Sequence, residues 1–249
     1  MEKLSSRKNE YIRILRLLAS DAAFRAGRGE YVCDGFKMLK EALSFGAEIR
    51  SVLWKEHSAD IAGLERAVQY TADAELFDYA SPMKNSPGPV FTVKIPTPPT
   101  EARLKNALVL ETVQDPGNVG TVIRTANAFN IDAVILTGDC ADLYNPKTVR
   151  ATMGAIFRQR VISCALGELP ALLTDSGLAL YGAALSDRAR DIRTLDVKSA
   201  AVAIGSEGRG LSRELLSMCE GELIIPMNPD SESLNAAVAA AVVMWEMAR

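Results

Sequence analysis

Two loops near the carboxyl end of the chain combine features of a ligand site. Gly205-Ser-Glu-Gly-Arg-Gly follows the apolar run Ala201 to Ile204, and Pro-Met-Asn-Pro-Asp follows the run Glu222 to Ile225. Both runs are too short for helices and are stopped by Gly or Pro, so each predicts a buried parallel strand. The carboxyl ends of parallel strands are where open α/β sheets bind ligands. We therefore expect the two loops to form a floor on which backbone N–H and C=O groups meet a flat polar ligand.

Glu207 gives the first loop a chemical character of its own. The loop lacks the glycine order of a dinucleotide fold and the Gly-Lys-Ser/Thr of a P-loop. A carboxylate inside the turn would repel a phosphate, whereas it would suit a cationic or hydrogen-bond-donating ligand, or hold an arginine such as Arg124. A plain glycine turn without function fits the same residues.

Asn118 and Arg124 lie in a second candidate segment, Asp115-Pro-Gly-Asn-Val-Gly-Thr-Val-Ile-Arg, which follows an apolar run. Asn118 is placed where a strand passes into a helix, so its amide could cap the helix or touch a ligand. The neighbours of Arg124 in sequence are apolar, which predicts a partly buried guanidinium that needs an anionic or carbonyl partner. A capped helix with a salt-bridged arginine remains the alternative. Asn235, in the first turn of the terminal helix, is the fourth polar candidate. An asparagine contributes little to the stability of a helix interior, so its presence there indicates another role.

The first half of the chain alternates strands and helices and predicts a small α/β sandwich. The predicted elements are a helix over Asn9–Ala26, a strand over Tyr31–Cys33, a helix from Phe36 to Gly46, a strand over Glu48–Trp54, a helix over Ile61–Tyr70, and strands over Ala74–Phe77 and Val90–Ile95. Six of the eleven prolines then fall between Pro82 and Pro99, and the last of them form a stiff extended spacer.

The second half predicts a parallel sheet covered on both faces, since its strands are almost entirely apolar and alternate with helices. The predicted elements are strands over Leu108–Thr112, Ala133–Thr137, Gln159–Ser163, Leu178–Leu185, Ala201–Ile204 and Glu222–Ile225, helices over Val119–Phe129, Pro146–Ala155 and Leu169–Ser176, a short helix from Leu211, and a terminal helix that begins at Ser231 or Ser233.

Composition excludes several classes of protein. The chain has 249 residues, 48% hydrophobic and 24% charged, with a net charge of −3, which is typical of a soluble globular protein without a general preference for polyanions. Four scattered cysteines and the single His57 predict no metal site, and no apolar run is long enough to cross a bilayer, so we expect a cytoplasmic protein with no membrane partner. Basic residues are locally enriched before Tyr31, which indicates either a nucleic-acid surface or a solvated helix face: Lys3, Arg7, Lys8, Arg13, Arg16, Arg25 and Arg28.

Three segments in order carry a family resemblance. N-V-G-T-V-I-R-T-A, then I-G-S-E-G-R-G-L, then I-P-M with S-L-N-A-A-V-A resemble the three motifs of the SpoU, or TrmH-like, branch of the SPOUT RNA methyltransferases, from about residue 107 to 249. The first half looks like the L30e-like substrate-binding domain of ribose 2′-O-methyltransferases, with Cys33-Asp34-Gly35 where the family usually has a Glu-Gly pair. The resemblance implies an L30e-like RNA-binding domain and a SPOUT methyltransferase domain with a C-terminal trefoil knot. The proline-rich stretch places the boundary between them, which gives domains over residues 1–96 and 104–249 and a linker over 97–103.

The resemblance also implies the chemistry. Such enzymes are homodimers that methylate a ribose 2′-hydroxyl in RNA with S-adenosylmethionine. By carry-over, Asn118, Arg124, Glu207 and Asn235 form the catalytic cluster. The residues implied for cofactor binding are Gly205, Ile225, Met227, Ser233, Leu234, Leu136 and Ala183. Because arginine is effectively always protonated, we expect Arg124 to bind phosphate and stabilise alkoxide charge rather than act as a base.

An L30e-like domain favours ribosomal RNA over transfer RNA as the substrate, since such domains read structured RNA loops. Two other classes remain open. The first is a non-catalytic RNA-binding protein with a vestigial knot domain, and the intact polar cluster argues against it. The second is a nucleotide-binding oxidoreductase, and the missing dinucleotide fingerprint argues against it.

Overall fold

Internal contacts divide the computed structural model into two units. Unit 1 consists of Met1–Thr97 and Asp142–Phe157, and unit 2 of Pro98–Ala141 and Arg158–Arg249. The structure describes residues 1–97, 103–228 and 233–249. Most of the predicted linker over 97–103 therefore lies outside the described residues.

The described elements follow in chain order. They are β1 (Glu2–Leu4), α1 (Glu10–Ser20), α2 (Ala22–Arg28), β2 (Glu30–Asp34), α3 (Phe36–Ser44), β3 (Ile49–Lys55), β4 (Val68–Ala72), α4 (Ala74–Ala80), β5 (Val90–Lys94), β6 (Ala107–Glu111), α5 (Pro116–Ala128), β7 (Ala133–Thr137), α6 (Pro146–Ala151), β8 (Arg160–Ser163), α7 (Leu169–Ser176), β9 (Ala179–Ala183), β10 (Arg190–Asp191), β11 (Ala200–Ile204), α8 (Arg213–Met218), β12 (Gly221–Ile224) and α9 (Ala236–Ala248).

Unit 1 is built on a mixed five-stranded sheet in the order β1-β4-β3-β5-β2. β4 pairs parallel with β1 and β3, whereas β5 pairs antiparallel with β2 and β3. The helix α1 packs through Ile12, Leu15 and Leu18, which are fully buried and recur at a spacing of three residues. Its basic residues therefore face away from the core.

Three predictions for unit 1 were wrong in detail. The long first helix is broken at Asp21, whose backbone is extended and whose carboxylate caps α2 by accepting from the N–H of Phe24 at 2.9 Å. The predicted helix over Ile61–Tyr70 consists of turns that lead into β4. The predicted strand over Ala74–Phe77 is the helix α4, because Asp73 caps it and its apolar side chains recur at helical spacing.

The segment Asp142–Phe157 groups with unit 1, although it is inserted in sequence between β7 and β8 of unit 2. Val149 is buried in the same apolar cluster as Tyr31, whose ring lies 4.7 Å from that of Tyr144. Arg25 is only 3% exposed, and its guanidinium donates to the carboxylate of Asp142 and to the backbone oxygen of Leu18. The sequence prediction had placed this segment inside the domain over 104–249.

Loss of the Arg25 guanidinium is expected to destabilise unit 1. In Arg25→Ala the carboxylate of Asp142 is left without its cation, so we expect unfolding to require about 3 kcal/mol less. Arg28→Ala, which removes a half-exposed arginine 3.5 Å from Glu30, should change the same quantity by at most about 1 kcal/mol. Urea unfolding followed by the fluorescence of Trp54, in a Trp245→Phe background, measures both. Equal losses in the two variants would contradict a structural role for the Arg25–Asp142 pair.

Unit 2 is an α/β fold with a parallel sheet, as predicted. Its seven strands follow the order β10-β12-β9-β11-β6-β7-β8, and every pairing is parallel. Ala201 and Ala203 of β11 lie on the face of the sheet that α7 and α8 cover. The side chains that alternate with them point to the opposite face, where α9 packs against β11 and α5. The carboxyl ends of β9, β11 and β12 are therefore neighbours at one edge.

The terminal helix begins later than predicted. Asn235 is its N-cap, whereas Ser233 precedes the helix and Ser231 lies outside the described residues. The side-chain oxygen of Asn235 accepts from the N–H groups of Ala237 at 3.0 Å and Val238 at 3.3 Å. This residue is thus a structural cap before any functional role is considered.

Candidate active site

A cavity of about 510 Å³ opens where β9, β11 and β12 end. Its lining includes six of the seven residues predicted to bind a cofactor, namely Ala183, Gly205, Ile225, Met227, Ser233 and Leu234. Leu136 does not line it, because β7 lies two strands away from β11 and this side chain is 5% exposed. The sequence analysis missed other lining residues, including Ala184, Leu185, Ser206, Arg209, Ile224 and Ala239.

Gly205 stands at the tightest point of the cavity wall. A Cβ added there would lie 2.1 Å from the carbonyl carbon of Gly210 and 2.5 Å from the nitrogen of Leu211, which no side chain can tolerate. The loop closes on itself here, since the N–H of Gly210 donates to the oxygen of Ser206 at 2.8 Å. Glycine is therefore required where the loop turns back, and backbone is left facing the cavity.

Glu207 projects from the same loop and joins two distant segments. Its Oε1 accepts hydrogen bonds from Nδ2 of Asn118 at 2.5 Å, from Nδ2 of Asn235 at 2.6 Å and from the N–H of Ala236 at 3.3 Å. Nδ2 of Asn235 also donates to Oδ1 of Asn118 at 3.2 Å. Three of the four predicted catalytic residues thus meet in one cluster, which we call the Glu207 junction.

The NH₂ groups of both asparagines are available to Glu207 because neither is used to cap a helix. Asp115, not Asn118, caps α5, and its Oδ1 accepts from the backbone N–H of Asn118 at 2.8 Å. Asn235 uses its oxygen for α9 and its NH₂ group for the junction. The side-chain amide of Asn118 is left to the junction alone.

Arg124 does not join the Glu207 junction. It is exposed, and within the described residues it makes no hydrogen bond or ion pair and does not line the cavity. The prediction that it would be partly buried and held by Glu207 was wrong for this chain. Apolar neighbours in sequence do not bury a helical residue, because only positions three or four apart share a face; the buried stripe of α5 is Val119, Val122, Ile123 and Ala126.

Glu111 is a supporting residue that the sequence analysis missed. It ends β6, is 5% exposed, and its carboxylate accepts from the N–H of Ser212 at 2.7 Å and from the hydroxyl at 2.6 Å. Ser212 in turn caps α8, so the carboxylate fixes the chain directly after the glycine loop. The signal was present in the sequence, where a single charged residue ends an otherwise apolar strand.

A second cavity, of about 280 Å³, also borders the glycine loop. It is lined by Thr112, Val113, Gln114 and Asp115 of the loop after β6, and by Ser206 to Arg209. Glu207, like Ser206, Gly208 and Arg209, lines both cavities, so the glycine loop borders two spaces that could hold two different ligands.

Among the described residues, no group of three or more His, Cys, Asp or Glu side chains could hold a metal ion. No helix of that part of the chain combines the length and apolar character needed to cross a membrane.

The parallel sheet and its strand-end cavity define a ligand-binding α/β protein, and comparison with known proteins narrows this class. Residues 105–245 match the SpoU rRNA Methylase family. The chain is 30% identical to the 23S rRNA (guanosine(2553)-2′-O)-methyltransferase RlmP of Bacillus subtilis, over 99% of each chain. It therefore belongs to the SpoU rRNA methylase family, which confirms the resemblance of the three motifs to the SpoU, or TrmH-like, branch.

Two solved structures are also similar. An AdoMet-bound rRNA methyltransferase from Sinorhizobium meliloti superimposes with a TM-score of 0.87 at 23% identity, covering 98% of this chain and 96% of that one. The SpoU methyltransferase AviRb from Streptomyces viridochromogenes gives a TM-score of 0.86 at 25% identity, over 96% of each chain.

Substitution of Gly205 should weaken cofactor binding. In Gly205→Ala the new methyl group collides with the backbone of Gly210, so the loop must move and we expect S-adenosylmethionine to bind about 10- to 100-fold more weakly. Gly167→Ala is the matched control, because a Cβ there meets nothing within 4 Å and the residue lines neither cavity. Titration calorimetry measures both, with circular dichroism to verify folding. Equal affinities in the two variants would show that this loop does not hold the cofactor.

Proposed function

We propose that this protein transfers a methyl group from S-adenosylmethionine to a ribose 2′-hydroxyl of ribosomal RNA in the cytoplasm. The observation that carries the proposal is the Glu207 junction, in which Asn118 and Asn235 hold Glu207, a lining residue of the cavity of a SpoU family member. The B. subtilis relative is named for the same reaction class, and the S. meliloti structure holds AdoMet in the same fold.

The 510 Å³ cavity fits the methyl donor. Its walls combine backbone at Gly205 and Ile225 with apolar side chains such as Leu234, which suit an uncharged adenine. Glu207 adds a carboxylate to the wall, and this favours a cationic group. Bound S-adenosylmethionine would supply a methyl group on a positively charged sulfur, which leaves as the neutral thioether of S-adenosylhomocysteine. The proton of the 2′-hydroxyl passes to the adjacent RNA phosphate or to water.

The Glu207 junction has a positioning role in this proposal. Two amides hold one oxygen of Glu207 in place, so the carboxylate cannot swing away from the boundary between the two cavities. The 280 Å³ cavity beyond it, next to Gln114 and Asp115, takes the target nucleotide. Methyl transfer needs the attacking 2′-oxygen in contact with the methyl carbon and in line with the sulfur, and a carboxylate fixed where the two spaces adjoin positions both reactants.

We assign Arg124 to the active site of a partner protomer. Its guanidinium is exposed and unpaired within the described chain, whereas phosphate binding and stabilisation of alkoxide charge need an arginine near the reacting hydroxyl. The neighbouring surface is apolar: Val238 and Trp245 of α9 are 49% and 56% exposed, and Phe129 stacks edge-on against Trp245. Such a patch supports a homodimer through α5 and α9.

Two finer features of the family belong to the same proposal. We infer that the C-terminal chain of unit 2 is threaded into a trefoil knot, and that residues 1–96, which belong to unit 1, form an L30e-like domain that binds the RNA. The α/β alternation of unit 1 and the motif order of unit 2 support both inferences.

Methyl transfer to ribose can be tested directly. We expect the purified protein to transfer label from S-adenosylmethionine to 23S rRNA from a strain lacking the gene, and digestion should release a 2′-O-methyl nucleoside. Glu207→Ala should lower the rate about 100-fold, because the wall between the cavities loses its fixed carboxylate. Label in a base, or in transfer RNA alone, would contradict the proposed reaction or the proposed substrate, respectively.

A mixed dimer tests where Arg124 acts. Arg124→Ala and Glu207→Ala homodimers should both be nearly inactive. If Arg124 serves the partner's site, a heterodimer of the two variants contains one complete site and recovers about half of the wild-type activity per dimer. Differently tagged chains, co-expressed and purified in two steps, provide it. A heterodimer as inactive as its parents would place Arg124 in its own protomer's site.

A further inference from the structure

Unit 1 carries a groove of about 470 Å³ that the catalytic proposal does not use. It runs between α1 with its preceding loop and the end of α4, and its floor includes Leu17, Ala19 and Ala80. All charged side chains that line it are basic, namely Arg7, Lys8, Arg13 and Arg16, and each is exposed. The protein as a whole has a net charge of −3, so this is a local concentration of positive charge.

Tyr79 organises the groove. The guanidinium carbons of Arg7 and Arg16 lie 4.7 Å and 4.3 Å from the centre of its ring. Nη1 of Arg16 also donates to the backbone oxygen of Tyr79 at 2.8 Å. Two like charges are thus gathered at one ring, where cation–π attraction offsets part of their repulsion.

The positive charge is only partly neutralised. Arg7 pairs with Glu75 at 2.7 Å, but both side chains are more than half exposed, so water and salt weaken this pair. Within the described residues, the side chains of Lys8 and Arg13 have no hydrogen-bond or ion-pair partner. Arg13 and Arg16 are three residues apart on one helix, a spacing at which like charges repel.

The fold argues against a lipid surface as the partner. A basic helix that binds membranes inserts an apolar face, whereas the apolar residues of α1, Ile12, Leu15 and Leu18, are fully buried in unit 1. What remains is a concave basic channel beside an aromatic ring and exposed guanidinium planes. A phosphodiester chain fits these features, because phosphates take cations and bases stack on guanidinium and aromatic planes.

We propose that the groove formed by Arg7, Lys8, Arg13, Arg16 and Tyr79 binds a segment of the substrate RNA, with Lys8 and Arg13 contacting its phosphates. This inference rests on the proposed function, because the proposed methylation of RNA identifies RNA as the ligand of the groove. The groove lies in unit 1 and lines neither catalytic cavity, so it contributes to RNA affinity and not to the chemical step.

A charge-matched pair of variants tests the groove. Lys8→Gln/Arg13→Gln removes two cations from it, and Arg66→Gln/Lys94→Gln removes two exposed cations outside it. For the first we expect rRNA to bind about tenfold more weakly near physiological salt, with a slope of log affinity against log salt reduced by between about one and two. Filter binding to a 23S rRNA transcript at several salt concentrations measures both quantities. The control should stay within about twofold of wild type.

Tyr79 supplies an independent arm. Tyr79→Leu removes the ring that gathers Arg7 and Arg16, so RNA binding should weaken, whereas Tyr79→Phe keeps the ring and should bind as wild type does. S-adenosylmethionine affinity and kcat at saturating RNA should be unchanged in every variant, while KM for RNA rises only in Lys8→Gln/Arg13→Gln and in Tyr79→Leu.

The outcomes separate the groove from the catalytic proposal. Equal RNA affinity in the groove and control double variants, or equal losses in both, would overturn the groove. Wild-type protein that binds 23S rRNA through the groove but transfers no methyl group would overturn the proposed function and leave the groove as an RNA-binding site.

Discussion

The arrangement of the candidate site depends on one carboxylate oxygen, Oε1 of Glu207. Nδ2 of Asn118, at the start of α5, and Nδ2 of Asn235, at the start of α9, both donate to it. Three segments far apart in sequence are thus joined at one atom. Hydrogen bonds to a charged acceptor are about twice as strong as neutral ones, so an exposed carboxylate can be held in place without burial. Each asparagine stands at a helix start, which fixes the position of the donors in turn.

Backbone constraints explain why the junction forms where it does. Gly205 lets the loop after β11 turn back on Gly210, which aims Glu207 toward the helix starts. Behind the loop, the buried carboxylate of Glu111 holds Ser212 and so fixes the beginning of α8. The turn at Gly205 and the contact between Glu111 and Ser212 together fix the conformation of the glycine loop beside the two cavities.

The sequence predicted much of this because its signals are local. Short apolar runs ended by Gly or Pro located β11 and β12, and the parallel sheet followed from them. It failed where partners distant in sequence decide the outcome. The segment Asp142–Phe157 finds its core in unit 1, and the exposure of Arg124 depends on which face of α5 is covered. The error at α4 has a local cause, because the capping residue Asp73 directly precedes Ala74–Phe77. Leu136 was carried over from the family resemblance and not from its own surroundings, and it lies two strands from the cavity.

The most direct measurement for the central claim is a crystal structure with S-adenosylhomocysteine. The account predicts that the adenosyl group lies in the cavity beside Gly205 and Leu234, with Glu207 still bonded to Asn118 and Asn235. Ligand bound elsewhere on the chain, or a Glu207 released from both asparagines when the ligand is bound, would contradict it.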